Sequence, residues 1–248
     1  YKTKGGHLTS PDTQTNWNGI TGRIELIGYK TSHAENVMLW CDIHSKTVRV
    51  TADITGEKSG KAVISTESFN SEKSHTPAVQ SFEYKDGKLD AVYKMGDDCL
   101  LWSEHEPNLY KLRIDIDGDV SEHIIGMREF KTDGGKFTIN GKKTFLRGKH
   151  DGMIFPKTAF APTDLDEWLR VMKISKSYGM NHYRYHTCCP PESAFIAADM
   201  LGIYMEPQLP FWGTITEEGE ENHNQEEQDF LVEEGFNMLK FFGNHPSY

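Results

Sequence analysis

Val48, Val50, Ala52 and Ile54 occupy every second position of one run, and Val37, Leu39, Cys41 and Ile43 do the same just before it. Side chains two apart in an extended chain share a face, so each run predicts a strand with one apolar and one polar side. Comparable short runs stand at 23–29, 37–43, 47–54, 61–66, 79–84, 89–95, 109–116 and 121–130. Asp86-Gly87 and Asp117-Gly118 fall between runs, where a tight hairpin needs positive φ. About seven strands in roughly 100 residues, with no helical period, predict an antiparallel two-sheet sandwich with Val37, Leu39, Val48 and Val50 inside.

Beyond Lys136 the period changes. Phe145-Leu146-Arg147 is a short run closed by Gly148, and 163–178 reads as a helix. Thr163 can cap it, Asp164, Asp166 and Glu167 suit its positive end, Leu165, Trp168, Leu169 and Met172 share a face, and Gly179 can stop it. A strand at 182–186 leads to Pro190 and Pro191, which can open a helix ending at Leu201 before Gly202. A third strand at 203–206, a long loop and a helix from about Gln225 to Phe242 complete the order βαβαβα. That order predicts parallel strands with helical crossovers. Parallel sheets are buried on both faces, so three units alone should leave apolar surface open, including the inner sides of Trp168 and Phe242. The chain reads as interrupted rather than complete, and self-association through the open sheet edge is expected.

With 37% hydrophobic and 26% charged residues in a chain of 248, two soluble domains fit better than a disordered or membrane class. The formal charge of −10, without a Lys/Arg cluster, opposes polyanion binding, so nucleic acid is not an expected partner. No apolar run reaches the ~18 residues of a membrane span. Four cysteines, two of them adjacent, are too few for a disulfide framework. No basic and apolar leader follows Tyr1, and the compartment is left open, a periplasmic or secreted parent included.

Trp102 with Pro107-Asn108-Leu109-Tyr110, and then Gly126-Met127-Arg128, resemble two segments of glycoside hydrolase family 2, the β-galactosidase and β-glucuronidase family: a stretch late in its immunoglobulin-like sandwich and its linker into a catalytic barrel. Phe137-Thr138-Ile139-Asn140-Gly141-Lys142, then Phe145-Leu146-Arg147-Gly148, resemble the approach to barrel strand one, and Asn181 to Arg184 resembles strand two. Asp199, Gly202, Ile203 and Tyr204 resemble the next helix and strand, and Asn244-His245-Pro246-Ser247 the segment before strand four. Thr13 to Ile20 is similar to the last strand of an N-terminal jelly roll. The resemblance implies residues 1–22 as the end of that jelly-roll domain and 23–130 as the sandwich. Residues 131–248 would be the first three βα units of a (β/α)8 TIM barrel. It implies a retaining exo-β-glycosidase acting on a carbohydrate substrate, with an acid/base glutamate after strand four and a nucleophile after strand seven, both beyond Tyr248. No catalytic residue, cofactor or metal is assigned within this chain.

Groups at the carboxyl ends of barrel strands converge on substrate. His150 and Asp151 resemble the family's His-acidic pair after strand one, against the ordinary alternative of a solvated turn. Arg184 and His186 end strand two; the family's Arg-Thr-Ser-His-Tyr-Pro run is here Arg184-Tyr185-His186-Thr187-Cys188-Cys189-Pro190, with the histidine one position early. A strand-end arginine also serves as a structural ion-pair partner. Glu206 ends strand three, and Gln208 stands where the family commonly has an acid. Trp212, in the long loop from 207 to 225, can stack on a pyranose or plug the loop down. Glu217, Glu218, Glu220 and Glu221 read as a solvated charge run. Two rivals remain open. One is a noncatalytic carbohydrate-binding or interaction protein built on the sandwich. The other is a zinc protein using His186, Cys188 and Cys189, whose spacing lacks the usual ligand pairing.

Overall fold

The computed structural model describes residues 22–248, together with 6, 19 and 20. Most of the expected jelly-roll remnant at 1–22 lies outside the described residues.

Seven strands form the first unit: β1 (His33–Asp42), β2 (Thr47–Thr55), β3 (Gly60–Phe69), β4 (Gln80–Tyr84), β5 (Lys88–Lys94), β6 (Leu109–Ile116) and β7 (Asp119–Ile125). They pair antiparallel in two sheets, ordered β1-β2-β5 and β4-β3-β6-β7. The register sets Leu39 opposite Val50, and Val50 opposite Ala91, so the apolar positions of three strands share one face. Val37, Leu39, Val48 and Val50 are buried there with Ile64, Leu112 and Ile114, as the period-two pattern requires. Asp86 and Gly87 both take positive φ, as do Asp117 and Gly118, which is what tight two-residue hairpins demand.

Two expectations for this unit fail. The run at 23–29 is irregular, with Ile24 and Leu26 exposed, and among the described residues no strand pairs with it. Alternation without a partner strand leaves the backbone groups to water. The run at 121–130 divides: β7 ends before Gly126, and β8 (Phe130–Asp133) joins β9 (Lys136–Ile139) and β10 (Lys142–Thr144) in a separate small sheet.

The second unit holds β11 (Gly148–Asp151), α1 (Leu165–Ser177), β12 (His182–Tyr185), α2 (Glu192–Leu201), β13 (Tyr204–Glu206) and α3 (Gln225–Phe242). β11, β12 and β13 are adjacent and parallel. The first of these strands starts at Gly148 instead of including Phe145, which is exposed. Asp164, not Thr163, caps α1, its side chain accepting from the Glu167 N–H. Trp168 is fully buried, its Nε1 donating to Pro162 O, and Phe242 stacks on Phe195 with ring centroids 4.4 Å apart. The expected exposure of Trp168 is therefore overturned, while Phe242 is partly buried, since helices and loop already cover that side of the sheet. The open apolar surface lies on α3 instead, at Val232, Phe236 and Phe241.

The two units meet around Trp102, which is buried edge-on to Tyr204. Its Nε1 donates to Asp199 O at 2.9 Å, and Asn140 Nδ2 donates to Trp102 O at 2.9 Å. Glu104, also buried, accepts from Thr144 Oγ1 at 2.6 Å and from the Tyr204 hydroxyl. Gly126 sits in the same joint: a Cβ there would lie 2.7 Å from Pro246 Cβ and 2.9 Å from Trp102 Cβ. Gly126→Ala should destabilise the fold by about 1–3 kcal/mol through overpacking. Urea unfolding of the variant beside the parent sequence checks this.

Candidate functional site

Parallel register fixes what stands beside what at the carboxyl ends of the three strands. His150 on β11 lies opposite Arg184 on β12, and Arg184 opposite Glu206 on β13. Residues two apart share a face, so His182, Arg184 and, just past the strand, His186 line one side of β12. Tyr183 and Tyr185 line the other, packed into the core beneath α1 and α2.

The contacts join six side chains into one strip. Trp212 meets His186 edge-on at 5.2 Å, and His186 lies 5.0 Å from the His150 ring. Arg184 Nη1 donates to His150 Nδ1 at 3.1 Å, and Arg184 Nε lies 3.6 Å from Glu206 Oε1. The second Glu206 oxygen is 3.1 Å from His182 Nε2. Trp212 is 70% exposed, so its ring is open to a ligand. The strip thus offers an aromatic face, imidazole and guanidinium groups, and one exposed carboxylate.

His150, Arg184, His186, Glu206 and Trp212 are therefore together. Asp151 is not among them. Next to His150 in an extended strand, it turns to the opposite side, where it is buried, accepts from Met153 N–H at 2.7 Å and pairs with Lys149 Nζ at 2.8 Å. Its carbonyl accepts from His186 N–H at 2.8 Å and so sets the turn that follows β12. Gln208 ties the same turn to the next loop: its Oε1 accepts from Thr187 N–H, and its N–H donates to Cys188 O. His182 was not singled out from sequence, although its place two before Arg184 and four before His186 carried the signal. Its ring lies over Gly148, where a Cβ would come within 2.6 Å of His182 Nδ1.

Among the described residues no group of three or more His, Cys, Asp or Glu side chains is placed to hold a metal ion. Burial pushes the Cys188 and Cys189 thiols up to about 12, which disfavours the thiolate that binds zinc.

Residues 32–128 match the family described as Glycosyl hydrolases family 2. A β-galactosidase of Thermoanaerobacter pseudethanolicus is 26% identical over 80% of this chain, which covers 27% of that protein. A β-galactosidase of Thermoanaerobacterium thermosulfurigenes is 24% identical over 91% of the chain, covering 34% of its length. Among solved structures, β-glucuronidase of Parabacteroides merdae superposes with a TM-score of 0.67 at 20% identity, over 88% of this chain and 28% of that one. The chain is thus similar to glycosyl hydrolases family 2 over residues 32–128, and it spans about a quarter to a third of the length of these relatives.

Burial lowers the proton affinity of His182, and this outweighs the pull of Glu206. A histidine that binds its proton more weakly folded than unfolded stabilises the fold fully above the ordinary histidine value near 6.5. That contribution is lost as pH falls below it, because the unfolded chain then takes up more protons. His182→Gln should therefore flatten the fall in urea midpoint between about pH 7.5 and pH 5.5.

Proposed function

We propose that the whole protein is a retaining exo-β-glycosidase that removes a β-galactosyl or β-glucuronosyl residue from the non-reducing end of a glycan. In this reading residues 23–130 are an immunoglobulin-like sandwich, and 131–248 are the first three βα units of a (β/α)8 TIM barrel. The observation that carries the reading is the strip from Trp212 through His186, His150 and Arg184 to Glu206, at the carboxyl ends of adjacent parallel strands. Active sites on barrels of this kind are built at that end.

The chemistry of the strip suits a pyranose. Hydroxyl groups need donors and acceptors together, which Arg184, the histidines and Glu206 supply. The apolar face of the ring needs an aromatic partner, which Trp212 supplies. Arg184 is held between His150 and Glu206, so little freedom is lost when it donates to a hydroxyl. Retention needs two carboxyls roughly 5–5.5 Å apart across the anomeric carbon. Glu206, paired with His182 and Arg184, is a binding group in this reading, and the catalytic pair comes from residues outside this stretch.

Assays of aryl β-galactosides and aryl β-glucuronides decide the matter. The full-length protein should turn over at least one, and the 248-residue stretch alone should turn over neither. Arg184→Ala in the full-length protein should lower kcat/KM by about 10- to 100-fold, the range for losing a charged hydrogen bond to substrate. Glycan binding without hydrolysis by the full-length protein would favour a noncatalytic carbohydrate-binding role. Turnover by the isolated stretch, abolished by substituting Asp151 or Glu206, would put the catalytic pair here and overturn the proposal.

A further inference from the structure

Asn140 and Gly141 form the two-residue turn between β9 and β10, with Ile139 paired to Lys142 across it. Both take positive φ, 50° and 76°, the mirror-image turn for which Asn-Gly is a preferred pair. The same dipeptide is unusually open to loss of its side-chain amide. Glycine puts no side chain between its own nitrogen and the preceding Asn Cγ, and its backbone reaches conformations that bring the two together. Gly141 is exposed, and a Cβ built on it would meet nothing within 4 Å, so water has access to this turn.

The fold withholds the Asn140 side chain from that reaction. Its Oδ1 accepts from Glu129 N–H at 2.9 Å, its Nδ2 donates to Trp102 O at 2.9 Å, and its own N–H donates to Glu129 O at 2.8 Å. Both ends of the amide are thus engaged at the joint between the two units. Turning Cγ onto the Gly141 nitrogen means giving up these side-chain bonds, and the nitrogen that has to leave is the one bound to the fully buried Trp102. The reaction therefore waits on opening of the joint.

We propose that Asn140 is a deamidation site gated by the joint, and that its product keeps the joint from closing as before. In the opened turn the Gly141 nitrogen forms a bond to Asn140 Cγ, the Cγ–Nδ2 bond breaks, and Nδ2 leaves as ammonia with the proton given up by the Gly141 amide. Water then opens the cyclic imide at either carbonyl, giving aspartate, or isoaspartate with the main chain running through the former side chain. Nothing is oxidised or reduced. The aspartate product still accepts from Glu129 N–H, but its other oxygen stands where Trp102 O had a donor. A charged acceptor then faces a buried carbonyl that has lost its partner. Isoaspartate lengthens the backbone of a two-residue turn and disturbs the pairing of β9 with β10.

The test is peptide mapping of the chain held in mildly alkaline buffer, folded and in urea. The tryptic peptide Phe137–Lys142 carries Asn140, and the other Asn-Gly of the sequence, Asn18-Gly19, lies on a different peptide. Conversion of Asn140 to the acid should be at least about tenfold slower in the folded chain, because two hydrogen bonds are lost before reaction. Trp102→Phe removes the indole bond to Asp199 O and leaves the main-chain carbonyl, so it should speed conversion in the folded chain at least about threefold. Gly126→Ala, which crowds Trp102 Cβ, gives the same measurement if that variant does not fold. Equal rates in the folded and unfolded chain, or a folded rate that the loosened joint leaves unmoved, would overturn the gating. Asn140→Asp reads the product directly. Its urea midpoint should lie below that of the parent sequence at about pH 7, and the gap should narrow toward about pH 4, where the introduced carboxyl is protonated and donates to Trp102 O again. An unchanged midpoint, or a gap that does not depend on pH, would sink the claim about the product.

Discussion

The indole of Trp102 has to be buried and hydrogen-bonded at once, and the joint between the two units is built around that requirement. A buried indole N–H without an acceptor would be left without its water partner at a cost of about 1–3 kcal/mol. Asp199 O supplies the acceptor, which places α2 against the sandwich. Asn140 then satisfies Trp102 O, and Asn140 Oδ1 accepts from Glu129 N–H, so the small β8-β9-β10 sheet is tied to the same point. Tyr204 packs edge-on to Trp102 and donates to Glu104, which also accepts from Thr144. The orientation of β13, and with it Glu206 at its end, thus follows from contacts made by residues of the sandwich.

Two buried histidines show how differently the joint and the strip treat charge. His245 faces a carboxylate with no competing exposure to water, and its proton affinity rises. His182 faces a carboxylate that is itself half-exposed and shared with Arg184, so burial prevails and its affinity falls. The same pair of residue types therefore strengthens proton binding by the histidine in one place, while in the other burial weakens it.

Much of this was legible in the chain because single periods were long enough to read. β6 and α3 stand where the alternation and the helical repeat put them, at Leu109–Ile116 and Gln225–Phe242. The strip was legible where strand order and period two combined, which brought His150, Arg184, His186 and Glu206 together. The four-residue strands β8 and β9 carry too few alternations to read, and Phe145 resembled a strand residue only by being apolar. Asp151 was grouped with His150 by adjacency, which in an extended chain separates two side chains instead of joining them. Glu104 gave no local signal, since its partners Thr144, Lys176 and Tyr204 lie 40 to 100 positions away.

The loop from 207 to 224 raises a question that exposure alone does not answer, because an exposed tryptophan on a slack loop would lose much of its binding energy to ordering. This loop is tied at both ends and across its middle. Gln208 bonds to the turn after β12, Phe211 N–H donates to Leu209 O, and the Phe211 ring lies where a Cβ on Gly213 would stand, 2.7 Å away. Farther on, Thr216 O accepts from Gln228 Nε2 at 2.9 Å, which fastens the loop to the first turn of α3. Trp212 therefore projects from a short span between two anchors, with one edge resting on His186. A ring held in that way keeps its open face without having to be immobilised by the ligand, which is the condition for stacking to add to affinity.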